Sequence, residues 1–148
     1  MNNKPVGSIH WSFWMIGAVT LAFNLLGSIN FVVQMNPDSL AWFPEAYRPI
    51  IEGKPVWATA AFAIAVFGGA IGCLLLLLRK SAASYFFIAS LFGVIMSMAH
   101  ISSVVAFDSF ESCVGVVVQF GATVFLIWYS TYARSKGWFT PISIAHAT

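Results

Sequence analysis

Four long stretches of the chain contain no Asp, Glu, Lys or Arg and only scattered polar residues. They run over residues 11–35, 56–78, 84–107 and 113–133. An α-helix rises about 1.5 Å per residue, so about 20 residues cross a hydrocarbon core of about 30 Å. Each stretch reaches that length, and the pattern predicts an all-α membrane protein with four transmembrane helices.

The first stretch has an alternative interpretation as a cleaved signal peptide. The apolar core of a signal peptide is usually about 7 to 15 residues long. The stretch here is longer and includes Asn24 and Asn30. We therefore expect it to be a helix of the mature protein.

The connections between the stretches predict how the helices are arranged. The connections after the second and third stretches are short, so consecutive helices should pack antiparallel in one up-and-down bundle. Residues 36–55, hereafter the connector, read NPDSLAWFPEAYRPIIEGKP and are interrupted by prolines. They predict one or two interfacial helices, with a substrate lid or a partner-docking surface as functional alternatives. We expect the tail beyond Gly137 to be loosely held.

The composition excludes a soluble globular domain. Hydrophobic residues make up 59% of the chain, charged residues 8%, and the mean hydropathy is +0.85. So few charged residues cannot cover a water-exposed surface. We therefore expect the lipid bilayer to surround most of the protein. The net charge of +2 gives no indication of nucleic-acid binding.

The distribution of charge predicts the orientation, because Lys and Arg are enriched in cytoplasmic loops. If all four stretches span, the side that carries both termini has the larger group of cations: Lys4, Arg79, Lys80, Arg134 and Lys136. The connector carries Arg48 and Lys54. We therefore expect both termini, including the tail over residues 134–148, to be cytoplasmic.

Small residues in the second predicted helix form a stripe suited to close helix packing. Ala61, Ala65, Gly69 and Cys73 recur every four residues, and Gly68 and Gly72 add a GxxxG on the adjacent face. The stripe could pack within the bundle or against a second copy of the chain.

Polar side chains within the predicted spans are candidates for a binding site, since polar groups in lipid are unfavourable unless they are paired or face a cavity. Helical spacing places several on inward faces. The predicted cluster consists of Asn24, Ser28, Gln34, Ser97, His100, Gln119 and Thr123. Two interpretations remain open: a site for a small polar solute, or interhelical hydrogen bonds that only hold the bundle together.

No combination of residues indicates catalysis, a metal or a cofactor. His100 is the only histidine within a span away from its ends, whereas zinc needs three or four ligands. A nucleophile with a base, paired carboxylates and a phosphate-binding loop are also missing from the pattern. We predict that the protein is not an enzyme.

Two segments carry a resemblance: FNLLGSINFVVQMNP at 23–37, and FPEAYRPIIEGKPVWATAAFAIAVFGGAIGCLLLLLRK at 43–80. They resemble a family of small four-helix bacterial inner-membrane proteins of uncharacterised function, which often carry the automatic name sugar transporter. The likeness covers roughly residues 11–105. It implies the bacterial inner membrane and the four-helix topology, and it transfers no ligand-binding residue.

Two functions are compatible with these observations. The first is a non-enzymatic accessory subunit that joins a larger membrane complex through the small-residue stripe or the connector, or that pairs with itself. The second is a small oligomeric facilitator or transporter of an uncharged polar solute such as a sugar. A cavity in which Asn24, His100 and Gln119 converge would favour transport, and a dry bundle would favour the accessory role.

Overall fold

The computed structural model describes residues 10–104 and 110–139. Helix α1 spans Trp11–Gln34, and the connector follows as two 3-10 turns, Pro37–Trp42 and Glu45–Tyr47, and the short helix α2, Arg48–Glu52. Three long helices complete the chain: α3 (Val56–Leu77), α4 (Ala83–Val104) and α5 (Phe110–Ser135). No strand occurs in these described ranges.

Three of the helices, α1, α3 and α4, are long and apolar enough to cross a membrane. Their ends lie within three residues of the predicted limits, which confirms the helical fold and these three candidate spans. Helix α5 overlaps the fourth predicted stretch but is not among the candidates found in the described residues. Its insertion in a membrane stays a prediction.

Helix α3 is central and packs against both α1 and α4, and α4 also packs against α5. Glycines permit these close approaches. A Cβ at Gly93 of α4 would lie 2.5 Å from the carbonyl oxygen of Ala61 and 2.6 Å from the amide nitrogen of Ala65. The two backbones therefore touch along the small-residue stripe, as helices do in lipid where close packing replaces hydrophobic drive.

One end of the bundle, hereafter the basic end, contains the turn between α3 and α4 and the end of α5. Helix α3 ends there in a Schellman motif, in which the Lys80 amide donates to the Leu75 carbonyl over 2.8 Å. The left-handed position of this motif is held by Arg79, with φ of 59°. Its Nε donates to the backbone carbonyl of Trp138, so the turn is tied to the chain that follows α5.

The start of the tail differs from the expectation of a loose segment. Gly137, with φ of 70°, ends α5 in a second Schellman motif, and Trp138 turns back onto the bundle. The Trp138 ring packs edge-on against Phe13, with centroids 5.7 Å apart. Aromatic packing and the bond from Arg79 thus hold residues 137–139. Residues 140–148 lie outside the described part.

Candidate ligand cavity

The opposite end of the bundle, the connector end, contains a half-open cavity of about 450 Å³. Helices α1, α3, α4 and α5 and the connector all contribute to its wall, and most of the lining is apolar. Its polar and ionisable lining residues are Asn30, Gln34, Tyr47, Lys54, Ser97, His100 and Gln119. The described lining contains no Asp or Glu.

The connector forms the wall of the cavity at that end. Asn36 starts it by accepting a hydrogen bond from the Asp38 amide over 3.1 Å, and the buried Ser39 hydroxyl donates back to the Val33 carbonyl. These bonds fold the chain back at the end of α1, so that the following apolar side chains face the helices. Four of them line the cavity: Phe43, Pro44, Ile50 and Ile51.

Lys54 is the one cation in the described cavity wall. Its Nζ donates to Gln34 Oε1 over 3.1 Å and lies 4.2 Å from the centroid of the Phe62 ring. Burial lowers the pKa of Lys54 from 10.5 to about 8, because desolvation disfavours the charged form. The ammonium is therefore held at the cavity by a neutral amide and a ring face.

His100 joins α4 to the connector. Its ring is buried, with 4% of its surface exposed, and Nε2 lies 3.4 Å from the Ile50 carbonyl oxygen. The ring donates this hydrogen bond when Nε2 carries the proton. The Trp57 ring stands edge-on to His100, with centroids 5.8 Å apart. The Ile50 carbonyl and the Trp57 ring thus fix the position of the imidazole. Through the contact with Ile50, His100 holds α2 against α4.

Ser97 has an unused hydrogen-bonding group in the cavity wall. It lies three residues before His100, which is about 4.5 Å along the α4 axis at the usual helical rise. Its hydroxyl oxygen is buried and has no hydrogen-bond partner. Most hydroxyls of the helices instead donate to a carbonyl one turn earlier, as Ser103 does to His100 over 2.7 Å. A turn of the Ser97 side chain about its Cα–Cβ bond would bring this hydroxyl to a molecule in the cavity.

The predicted polar cluster is divided between the cavity and the packed helices. Gln34, Ser97, His100 and Gln119 line the cavity, whereas Asn24, Ser28 and Thr123 do not. Asn24 is one turn nearer the basic end than Gly27, where α3 comes so close that a Cβ at Gly69 would collide with the Asn24 side chain. Asn24 therefore does not line the cavity together with His100 and Gln119, as the alternative of a solute site required.

The three excluded side chains form hydrogen bonds within the bundle. Asn24 Nδ2 donates to the Thr20 carbonyl over 2.9 Å and lies 3.7 Å from Cys73 Sγ. The Ser28 hydroxyl donates to the Asn24 carbonyl, and that of Thr123 to the Gln119 carbonyl, each over 2.9 Å. Most of these bonds lie within one helix, and only the contact of Asn24 with Cys73 joins two helices, so the polar atoms are used locally and provide little of the interhelical bonding that the sequence left as an alternative.

The small-residue stripe is also used inside the bundle. Ala61, Ala65, Gly69, Gly72 and Cys73 are buried and Gly68 is half-buried. A Cβ at Gly72 would lie 2.6 Å from the Phe87 ring, and one at Gly68 would lie 3.4 Å from Ser90 Cβ. The stripe therefore contacts α4 and α1 of the same chain, and little of it is left for a second copy.

The sequence did not indicate that the connector supplies so much of the cavity wall. Lys54 was assigned only to topology, and Asn30 was not included in the predicted polar cluster. The spacing of Gly27, Asn30 and Gln34 along one face was the available signal. No comparable signal existed for Lys54, because a connector without regular periodicity gives no direction for its side chains.

The site offers binding groups rather than reactive ones. In the described ranges no three His, Cys, Asp or Glu side chains come together as metal ligands. The lining can supply a cation, hydroxyl and amide hydrogen-bond donors, and apolar contact. Comparison of the chain with protein-family models, with curated proteins and with solved structures finds no match.

Proposed function

We propose that the protein is a non-enzymatic integral membrane protein that binds a small molecule in the cavity at the connector end. The observation that carries this proposal is the cavity itself, with the buried and unpaired hydroxyl of Ser97 in its wall. A buried hydroxyl without a partner is unfavourable, and a ligand or water that accepts its hydrogen bond removes that penalty.

The volume of the cavity supports a small ligand. Binding pockets for small molecules usually measure roughly 300 to 1,000 Å³ and combine an apolar lining with a few polar groups. At about 30 Å³ per non-hydrogen atom, which is the share of one molecule in liquid water, 450 Å³ holds about 15 such atoms. The lining has the expected composition for a ligand that is mostly apolar with one polar end.

The packing at the basic end supports binding in preference to passage through one copy. Below the cavity, α1, α3, α4 and α5 close around a core that contains the fully buried side chains of Phe13, Cys73, Leu76 and Phe87. A solute crossing a single chain would have to displace this core. We therefore favour a receptor, carrier or sensor role over the facilitator that the sequence left as an alternative.

The orientation forms part of the proposal. Four spans, with α5 as the fourth, place the cavity on the outer side of a bacterial inner membrane and both termini in the cytoplasm. The excess of Lys and Arg at the basic end supports this arrangement, and so does the family resemblance over residues 11–105.

The role of accessory subunit stays a prediction. The surfaces that the sequence suggested for binding a partner protein are now smaller. The small-residue stripe is covered by the chain's own helices, and the inner side of the connector faces the cavity. The outer side of the connector still presents Trp42, which is 79% exposed. An exposed Trp at this end of the bundle is equally compatible with an aromatic anchor at the membrane–water interface.

The test is to fill the cavity and look for the loss of a bound molecule. Ser97→Leu places a branched apolar side chain in the cavity. Ser102→Leu makes the same change on α4 at an exposed position outside it, where the hydroxyl only bonds the Ala99 carbonyl. Both variants and the wild-type protein are purified from their native membrane, checked for thermal unfolding, and extracted for mass spectrometry of small molecules.

We expect a molecule that co-purifies with the wild-type protein and with Ser102→Leu, and that is depleted at least about tenfold in Ser97→Leu, because the added side chain occupies its volume. If extracts of the three folded proteins are the same, the proposal is wrong.

A further inference from the structure

Resting on the proposed function, we infer that the cavity binds an amphipathic organic anion, with its anionic head at Lys54 and its apolar chain among the side chains of α3, α4 and the connector. The transporter alternative from the sequence named an uncharged polar solute instead. The difference comes from the position of Lys54 in the cavity wall, which the sequence did not indicate.

Charge is the first argument. The Lys54 ammonium faces the cavity, and the described lining contains no acidic side chain to neutralise it. Its present partners, Gln34 Oε1 at 3.1 Å and the Phe62 ring at 4.2 Å, are a neutral acceptor and a ring face. An ammonium has three donors, so an anionic head can be added without breaking either contact. A cationic ligand would be repelled.

The apolar surface is the second argument. The rest of the cavity wall is formed mainly by hydrocarbon side chains, among them Ile50, Val66, Val94 and Ile101. These groups give a sugar or another polyhydroxylated solute few hydrogen-bond partners, and removing hydroxyls from water without partners is unfavourable. An alkyl chain with a single anionic head would contact the hydrocarbon side chains with its chain and Lys54 with its head.

The position of the cation sets the orientation of the ligand. Lys54 belongs to the connector, two residues before α3 begins at Val56, so the head lies at the connector end. Ser97 lies on α4 with its hydroxyl unpaired, and it can donate to a second oxygen of the head or to a polar group along the chain. The apolar part then points toward the middle of the bundle.

Two sources could supply such a molecule: a phospholipid of the bilayer or a soluble fatty carboxylate. The recognition chemistry is the same, because both join an anionic head to an apolar chain. Decanoate is a suitable probe, with decanol as its uncharged counterpart and decyltrimethylammonium as its cationic counterpart. Binding is measured with the full chain in phosphatidylcholine nanodiscs, and empty nanodiscs correct for partitioning into lipid.

We expect saturable binding of decanoate, with decanol and decyltrimethylammonium binding at least about tenfold more weakly. Lys54→Gln should weaken decanoate binding about tenfold and leave decanol unchanged, and Lys54→Arg should retain most of the affinity because the charge is kept. Lys80→Gln is the matched control, since Lys80 is an exposed cation at the basic end.

A pH series distinguishes a lysine that binds the ligand from one with a purely structural role, because only the former would make decanoate affinity depend on the charge of Lys54. The pKa of Lys54 is lowered to about 8 by burial, while decanoate stays ionised above neutrality. Decanoate affinity should fall as the pH rises through about 8, and the fall should be absent in Lys54→Gln. The other ionisable groups in the described cavity wall are Tyr47 and His100. Both are unchanged in Lys54→Gln, so a fall of the same size in that variant would contradict the assignment of the anionic head to Lys54.

The outcomes separate this inference from the proposed function. If none of the three probes binds saturably and Ser97→Leu loses no molecule, both are wrong. If decanol or the cationic probe binds as tightly as decanoate, or if Lys54→Gln binds decanoate normally, only the anionic ligand is excluded. Competition by phosphatidylglycerol in the nanodisc would identify a bilayer lipid as the source, and its absence would identify a soluble amphiphile; either result supports an anionic ligand.

Discussion

The two ends of the bundle are built from the same apolar residue types but differ in how fully side chains fill the space between the helices. At the basic end, Phe13 of α1, Leu76 of α3, Phe87 of α4 and Leu126 of α5 form one buried core. At the connector end the same helices leave a cavity of about 450 Å³.

The difference shows that apolar composition does not determine packing in this chain. Where small residues face a neighbour, as Gly72 faces the Phe87 ring, the helices close and large side chains fill the remaining space. Where Gln34, Ser97, His100 and Gln119 face inward, open space remains beside them.

The largest effect should come from truncating a phenylalanine at each end. Phe87→Ala removes a fully buried ring from the core and should lower the free energy of unfolding by about 2 to 3 kcal/mol, since in lipid the loss is mainly packing around a new void. Phe62→Ala removes a half-buried ring that already borders the cavity and should cost about 1 kcal/mol. Unfolding in mixed detergent micelles measures both values.

Equal losses at these two positions would mean that the connector end is as tightly packed as the basic end, and the comparison would then be wrong.

A somewhat smaller effect is expected where the backbones of α3 and α4 touch. Gly93→Ala places a methyl group 2.5 Å from the Ala61 carbonyl oxygen, and neither backbone can move aside without separating the helices, so we expect a loss of about 2 kcal/mol. Gly121→Ala is the control, because no atom of the described chain lies within 4 Å of its Cβ. Its higher helix propensity should raise stability by up to about 1 kcal/mol. The same unfolding titration applies.

Destabilisation by Gly121→Ala as large as that by Gly93→Ala would show that α5 packs against another surface at this position.

We expect the smallest effect from the pH dependence of stability due to Lys54, because its side chain is only half-buried and solvent screening reduces the effect of the shift on stability. Its pKa is about 8 in the folded protein against the usual 10.5, so the unfolded chain binds more protons between these values. Stability therefore rises with pH over this range, and the penalty of the buried charge is fully present below about pH 8. Lys54→Gln should flatten that rise relative to wild type, whereas Lys80→Gln should keep it. Unfolding midpoints between pH 7 and 10.5 test this.

An identical pH profile in Lys54→Gln would mean that the lysine is more hydrated than its position in the cavity wall indicates.

The sequence was sufficient to predict where the helices begin and end. Long apolar stretches bounded by charged loops must be helical in lipid, because every backbone polar group has to be hydrogen-bonded within the segment. The stripe from Ala61 to Cys73 was equally visible, since four-residue spacing of small side chains is a property of the sequence alone. It packs inside the bundle, as one of its two interpretations held.

The candidate site was predicted less completely. Helical spacing identified Gln34, Ser97, His100 and Gln119 as inward-facing, but it also grouped Asn24 with them. A helical wheel gives the direction of a side chain about its own axis, and it gives no measure of how near the next helix lies at each level. Asn24 meets α3 at Gly69, where no space is left.

The chain by itself thus determined its helices, their apolar character and the side chains that can face inward, because these depend on local composition and periodicity. Only the tertiary structure decided which polar groups meet, that the connector closes over them, and that Lys54 lies 3.1 Å from Gln34. The physical reason is that the surface facing lipid and the surface facing the core are both apolar, so hydrophobic patterning cannot fix how each helix is rotated and spaced. Contacts between distant residues, such as His100 with Ile50, fix both.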